Sequence, residues 1–192
     1  MNSLEQAKKL KEKFGDLISE PTEFRGEISV KVSDAEQIVA VCEFCKQQLG
    51  YDYLVDVSSL DNYGDDPRWT VVYELRGLAT GCELRLKTDV SEEKSELPSV
   101  IGVWRTVNWH EREIYDMMGI RFRGHPDLRR ILMWEGYPYF PLRKDFPLAG
   151  KPSDIPGVAF SKVSPMEGGP FVTLPSSGDA ISREPRVRTH EE

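Results

Sequence analysis

The chain is 192 residues long, with 25 Lys and Arg against 32 Asp and Glu, a net charge of −7, and 39% apolar residues. That is the composition of a globular protein long enough to bury a core without disulfide staples, and the acidic total argues against nucleic acid, whose phosphates call for Lys and Arg. No apolar run approaches the roughly 20 residues of a membrane-spanning helix, and the start, MNSLEQAKKLKEKFGD, lacks the marks of a signal or transit peptide, so a cytoplasmic or cytoplasm-facing location is expected.

Leu4, Ala7, Leu10 and Phe14 recur at helical spacing before Gly15, which predicts an amphipathic helix over Ser3–Phe14. Ile28, Val30 and Val32 then alternate with polar residues, the period of a half-buried strand. Ser33 and Glu36 have the spacing of a capping box for a second helix, whose apolar face is Ile38, Val41, Cys42, Cys45 and Leu49 and whose end is Gly50. Cys42 and Cys45 form a CxxC, but in mid-helix, where the low thiolate pKa of a redox pair is not supported. They read as small apolar residues on a packed face, and the odd count of 3 cysteines without an export signal predicts reduced thiols.

After Gly50 the period stays at two through Tyr53, Val55 and Val57, then Trp69, Val71, Tyr73 and Leu75, then Cys82, Leu84 and Leu86. Turn-forming stretches at Asn62–Pro67 and Gly77–Gly81 separate these runs, as in an antiparallel meander. The expected fold is α+β: a two-layer domain with a mixed, mainly antiparallel sheet and helices on one face, followed by a long extended C-terminal arm. Pro98 is expected to start a short turn through Val100, Val103 and Trp104, and Asn108 with Glu111 to cap a helix of about ten residues that Gly119 closes.

From residue 138 on lie 9 of the 13 prolines, too many for helix or central strand. Tyr137, Tyr139, Phe140, Phe146, Phe160 and Phe171 are interspersed among them, more aromatics than a solvated linker carries. Residues 1–136 are therefore assigned to the α+β domain, and 137–192 to an arm that becomes ordered by packing on another surface.

Chemistry-bearing residues concentrate in 104–132. His110-Glu111 begins the HExxH pattern of a zinc protease, but Ile114 stands where the second His ligand belongs. Glu111, Glu113 and Asp116 with His110 or His125 could serve acid–base chemistry, yet no nucleophile, phosphate loop or cofactor motif accompanies them, and Arg112 can pair with Asp116 four residues on. A structural reading remains: a short charged helix set to meet an Arg-rich loop or a partner, with every basic residue of 104–137 an Arg, the type favoured in desolvated planar ion pairs.

The order of these residues decides in favour of the structural reading. Glu111, Arg112, Glu113, Asp116, Met117, Met118, His125, Arg129, Ile131 and Leu132 resemble, position by position, the signature of the 30 kDa subunit of respiratory complex I, the NADH-quinone oxidoreductase, and Pro141–Leu148 is similar to that family's second block. The resemblance implies a non-redox peripheral-arm subunit of a proton-translocating NADH:quinone oxidoreductase, one that supports assembly and positioning of the quinone-reducing module. It implies a 49 kDa-type partner and other peripheral-arm subunits, with FMN, iron–sulfur clusters and quinone held by the partners, and no membrane span. It places the chain peripherally on the cytoplasmic side of the bacterial inner membrane. Glu111, Arg112, Glu113, Asp116, His125, Asp127, Arg129, Arg130, Arg143, Lys144 and Asp145 are then structural and interface residues, with no catalytic, cofactor or metal site in this chain. Related subunits of membrane-bound hydrogenases and ferredoxin-dependent complexes share the motif, which does not separate them.

Overall fold

The computed structural model describes residues 2–148; the remainder of the expected arm, with Phe160 and Phe171, lies outside the described residues. Helix α1, Ser3–Phe14, ends at Gly15 as its pattern requires, and its start is held by a capping box between Asn2 and Glu5. Helix α2, Ile38–Leu49, turns its five expected apolar residues inward and stops at Gly50 in the left-handed conformation, φ +78°. Ser33 does not cap it. The Ser33 hydroxyl donates to the Leu17 carbonyl (3.1 Å), while Asp34 accepts the Glu36 amide (3.0 Å) and opens a short 3-10 turn, Ala35–Gln37, ahead of the helix. Aspartate takes this role as readily as serine, and the sequence offers both side by side.

Strands β1 (Thr22–Phe24), β2 (Glu27–Val32), β3 (Tyr53–Asp61), β4 (Trp69–Arg76) and β5 (Glu83–Val90) form one sheet in the order β1-β2-β5-β4-β3. β3, β4 and β5 are the expected antiparallel meander, and β2 joins β5 in parallel, so the sheet is mixed and mainly antiparallel. Strand β1 gave no sequence signal because all three of its residues are exposed; it hairpins onto β2 through Arg25 and Gly26, both at positive φ. Val30, Leu86, Tyr73 and Val57 lie across neighbouring strands on the covered face and belong to one core with α1 and α2, whereas Lys31, Arg85 and Asp89 lie on the outer face.

One strand departs from its expected phase. The register of β3 against β4 shifts between Leu54 and Asp56, a bulge that places one extra residue in β3. Leu54 and Val57 are buried in consequence, while Tyr53 and Val55, expected to point inward with Val57, are 43% and 45% exposed.

A second, two-stranded parallel sheet pairs β6 (Glu96–Pro98) with β7 (Arg121–Arg123), and helix α3 (Val107–Met118) forms the crossover between them. Three-residue strands are too short to show a period. The expected turn after Pro98 is present, closed by amides of Val103 and Trp104 on the Val100 carbonyl. Gly119 ends α3 at φ +80°, but the expected Asn108–Glu111 cap does not form: the helix starts two residues earlier than that cap would set it, at Val107, Asn108 lies inside it, and Glu111 is engaged elsewhere.

Contacts divide the chain after Arg143. Tyr137, Tyr139 and Phe140 lie in the first unit, where Tyr137 stacks edge-on between Trp134 and Tyr139. Of the second unit, residues 144–148 are described, and Lys144 and Asp145 in it are exposed.

Candidate functional site

The charged cluster is built on α3. A twelve-residue helix leaves its last carbonyls without internal partners, and its C-terminal end is the negative end of the dipole. In α3 every one of these carbonyls is answered. The Gly119 amide takes Tyr115, the Arg130 guanidinium takes Asp116 (2.9 Å), the Leu142 amide takes Met117 (3.2 Å) and the Arg143 guanidinium takes Met118 (2.6 Å). Two arginines singled out in the sequence, Arg130 and Arg143, thus act as a cationic cap where the dipole favours one.

Asp116 sits in the same last turn, where a carboxylate is disfavoured by the dipole, and is fully buried. Its Oδ1 accepts from Arg130 Nη1 (2.5 Å), and its Oδ2 accepts three consecutive amides, Ile131 (3.0 Å), Leu132 (2.7 Å) and Met133 (2.8 Å). Burial alone would push this carboxyl up; the amides of Met133, Leu132 and Ile131 together with Arg130 outweigh it and hold it below the usual carboxylate range. The carboxylate acts as a fixed anion around which the 130–133 loop is wound. The expected Arg112–Asp116 pair is not made. Arg112 turns instead to the loop backbone, donating to the carbonyls of Arg129 (3.1 Å) and Arg130 (3.3 Å) while its guanidinium lies 5.1 Å from the Trp109 ring centre. Arg130 completes the junction by donating to the Tyr139 carbonyl (3.1 Å) and lying over Tyr137 and Phe140.

Glu111 faces the opposite way, into the core, with none of its surface exposed. It accepts from the Ser99 hydroxyl (2.5 Å) and the Val100 amide (2.9 Å), which ties the turn before α3 to the helix. Burial is the larger effect here, and against these two hydrogen bonds it pushes the carboxyl up to about 7. His125 closes the loop after β7: its Nδ1 accepts the Asp127 amide (3.0 Å), which leaves Nε2 to donate to the Asn108 carbonyl (3.4 Å). Burial and the nearby Arg112 lower its pKa, so the ring is neutral at pH 7. Asp127 and Arg129 form an exposed pair at 2.9 Å, of the kind that contributes little. His110, the first residue of the broken HExxH, meets Asp56 of β3 at 3.0 Å.

Of the predicted residues, then, Glu111, Arg112, Asp116, His125, Arg130 and Arg143 are joined in one helix-and-loop unit, Asp127 and Arg129 lie on its surface, and Lys144 and Asp145 lie beyond it. Glu113, the remaining predicted residue on α3, is exposed and takes no part in these contacts. Sequence reasoning missed Ser99, and also Arg68, which is 4% exposed, forms a two-pronged pair with Asp61 (2.9 and 3.0 Å) and lies 4.3 Å from the Trp69 ring centre. A signal existed for the latter: opposite charges immediately flanking the Asn62–Pro67 turn face each other in a hairpin. Burial pushes the Cys42 and Cys45 thiols up, the environment of inert core cysteines. Among the described residues no three His, Cys, Asp or Glu side chains are grouped so as to hold a metal ion.

The profile of the family "Respiratory-chain NADH dehydrogenase, 30 Kd subunit" matches residues 31–152. The chain belongs to this family. It is 50% identical over 142 residues to its counterpart in the NADH-quinone oxidoreductase of Geotalea uraniireducens, covering 74% of this chain and 86% of the relative. The counterpart from Geobacter sulfurreducens is 46% identical over 143 residues, covering 74% and 88%. Among solved structures, the trypsin-resistant fragment (1-134) of Nqo5 superposes with a TM-score of 0.57 at 32% identity, over 66% of this chain and 99% of the fragment. A chain of an archaeal membrane-bound sulfane sulfur reductase gives a TM-score of 0.64 at 21% identity, over 75% of this chain and 85% of that one, a likeness of fold. Of the signature residues that carried the family resemblance, Glu111, Arg112, Asp116, His125, Arg129, Ile131 and Leu132 take part in the helix-and-loop contacts described above, whereas Glu113 does not.

Proposed function

We propose that this chain is a structural, non-redox subunit of the peripheral arm of NADH-quinone oxidoreductase, docked on a 49 kDa-type subunit at the cytoplasmic side of the inner membrane. Its family makes it a subunit of that enzyme complex, and no helix among the described residues is long and apolar enough to cross a membrane. The observation that carries the non-catalytic reading is the use made of the signature: Glu111, Arg112, Asp116 and Arg130 spend their hydrogen bonds on the chain's own backbone. A catalytic acid or base must reach a substrate proton, whereas these groups are occupied in tying two loops to one helix. FMN, clusters and quinone belong, on this reading, to neighbouring subunits; a four-thiolate cluster would exceed the 3 cysteines of the whole chain.

The experiment is purification of the tagged chain from membranes washed at moderate salt, with the associated subunits identified and the metal and flavin content assigned by subunit. Co-purification with a 49 kDa-type subunit, together with iron and flavin that stay with other subunits when the complex is dissociated, is the expected result. Iron or flavin retained by the isolated chain would overturn the non-redox reading.

A further inference from the structure

β3 is the last strand of the sheet, so one side of its backbone has no strand partner among the described residues. Its sequence, YLVDVSSLD, contains none of the Lys or Pro residues that ordinarily blunt an exposed edge, and its bulge lies at the Leu54 end only. Alongside the rest of the strand runs a groove of about 170 Å³, lined by Asp56–Ser59 of β3, by Ile114, Met117 and Met118 of α3, and by Leu142. Leu142 is 57% exposed, an apolar side chain presented at the mouth of an apolar groove. The charged groups lining it are both acidic, Glu113, exposed, and Asp56, which His110 contacts from one side, beside the hydroxyls of Ser58 and Ser59. Glu113 forms no side-chain hydrogen bond or ion pair among the described residues, in contrast to Glu111, Arg112 and Asp116 of the same helix.

We propose that an extended segment of a partner subunit, carrying a Lys or Arg side chain, lies along the free edge of β3 and sets that cation against Glu113. Strand addition supplies main-chain hydrogen bonds to an edge that has no strand partner among the described residues, while the groove between β3 and α3 takes an apolar side chain and its carboxylates select a basic one. Helix α3 is held rigid at its C-terminal end by the Arg130 and Arg143 caps, so Glu113, Met117 and Leu142 keep a fixed spacing from β3. A surface so preorganised binds without an ordering cost on its own side. This inference rests on the chain's being a subunit of the complex and names the contact through which it is held.

The test uses the assembled complex and the isolated full chain. Hydrogen exchange of the peptide covering 53–61 is followed in both, and complexes are purified with Glu113→Arg and, as a control on α1, Lys13→Glu. Amides of β3 should exchange about ten-fold more slowly in the complex. Glu113→Arg should cut recovery of the complex about ten-fold at moderate salt, with Lys13→Glu at the wild-type level. Thermal melting of the isolated Glu113→Arg chain should match wild type, since the side chain ties down nothing in the folded domain. Equal exchange of β3 in the two states, or full recovery with Glu113→Arg, overturns this docking mode while leaving subunit membership intact. A chain that co-purifies with no respiratory subunit overturns both.

Discussion

Glu111 and Asp116 stand five residues apart on one helix, both buried, and they titrate in opposite directions. The difference lies in what reaches each carboxyl: two donors at Glu111, and three amides plus a guanidinium at Asp116. Glu111 has a folded pKa of about 7 against 4.5 for the free side chain, so the folded state binds the extra proton between these values. Its contribution to stability is complete below about 4.5 and is lost as pH rises through about 7, a loss of roughly 3 kcal/mol. Glu111→Gln keeps a neutral acceptor in place, and thermal melting of the isolated chain should then lose its decline between about pH 4.5 and 7, with the variant more stable than wild type at pH 8. Asp116 follows the other sign: its folded pKa is depressed, so its stabilisation is present at neutral pH and lost as pH falls through the folded value in strong acid. Asp116→Ala leaves Arg130 and three amides facing an empty site and should cost about 3–5 kcal/mol, read as a lowered denaturation midpoint at pH 7. Arg112→Ala should cost about 2–4 kcal/mol by the same measurement, against less than about 1 kcal/mol for the exposed Lys9→Ala.

At the scale of elements, α3 is the helix whose ends are decided by other parts of the chain. Gly119 shows this most directly. A Cβ built there would meet Phe140 at 2.7 Å and run into the Arg143 guanidinium, both of which pack onto the end of the helix, and φ is +80°. Gly50, the matching terminator of α2, has φ +78° with nothing within 4 Å of the same position. Gly50→Ala should therefore register the conformational cost alone, about 1 kcal/mol, and Gly119→Ala that cost plus displacement of Phe140, about 2–4 kcal/mol. Denaturant unfolding of the two variants side by side measures the difference; equal costs would mean that Phe140 is not seated against the helix. Helices α1 and α2 were legible in sequence because each presents a clean apolar face between its own stop signals. The start of α3 was not, because Asn108 and Glu111 carry the spacing of a cap while Glu111 satisfies two groups, at Ser99 and Val100, that come near only when the chain folds.

For the molecule as a whole, the first of the two units reaches Arg143, and the segment from Tyr137 to Arg143 supplies the Tyr139 carbonyl, the Leu142 amide, the Arg143 guanidinium and the Phe140 ring to the end of α3. A chain ending at Leu148 should keep the wild-type melting temperature of the isolated protein to within a few degrees, whereas one ending at Glu135 should melt at least about 6 °C lower, the effect of 2–3 kcal/mol in a domain of this size. Identical melting of the two truncations would show that the aromatic segment contributes nothing to the fold.

Local pattern by itself determined the helices α1 and α2, the antiparallel meander and the α+β class, and the order of residues from Glu111 to Leu132 carried the resemblance that pointed to the family. These are properties of periodicity and residue order, which survive without knowing what lies nearby. The tertiary structure decided what the charges do. Arg112 has Asp116 at the ideal helical spacing and still turns to the loop backbone, because Arg130 and three amides already satisfy that carboxylate, while the carbonyls of Arg129 and Arg130 offer Arg112 acceptors of its own. The bulge that turns Tyr53 and Val55 outward is likewise invisible in a sequence that alternates evenly, since it depends on the register against β4. Spacing along a chain says which groups can meet; a buried group satisfies its hydrogen bonds with whichever partners the packing delivers, and for Asp116 those come from residues up to 17 positions away.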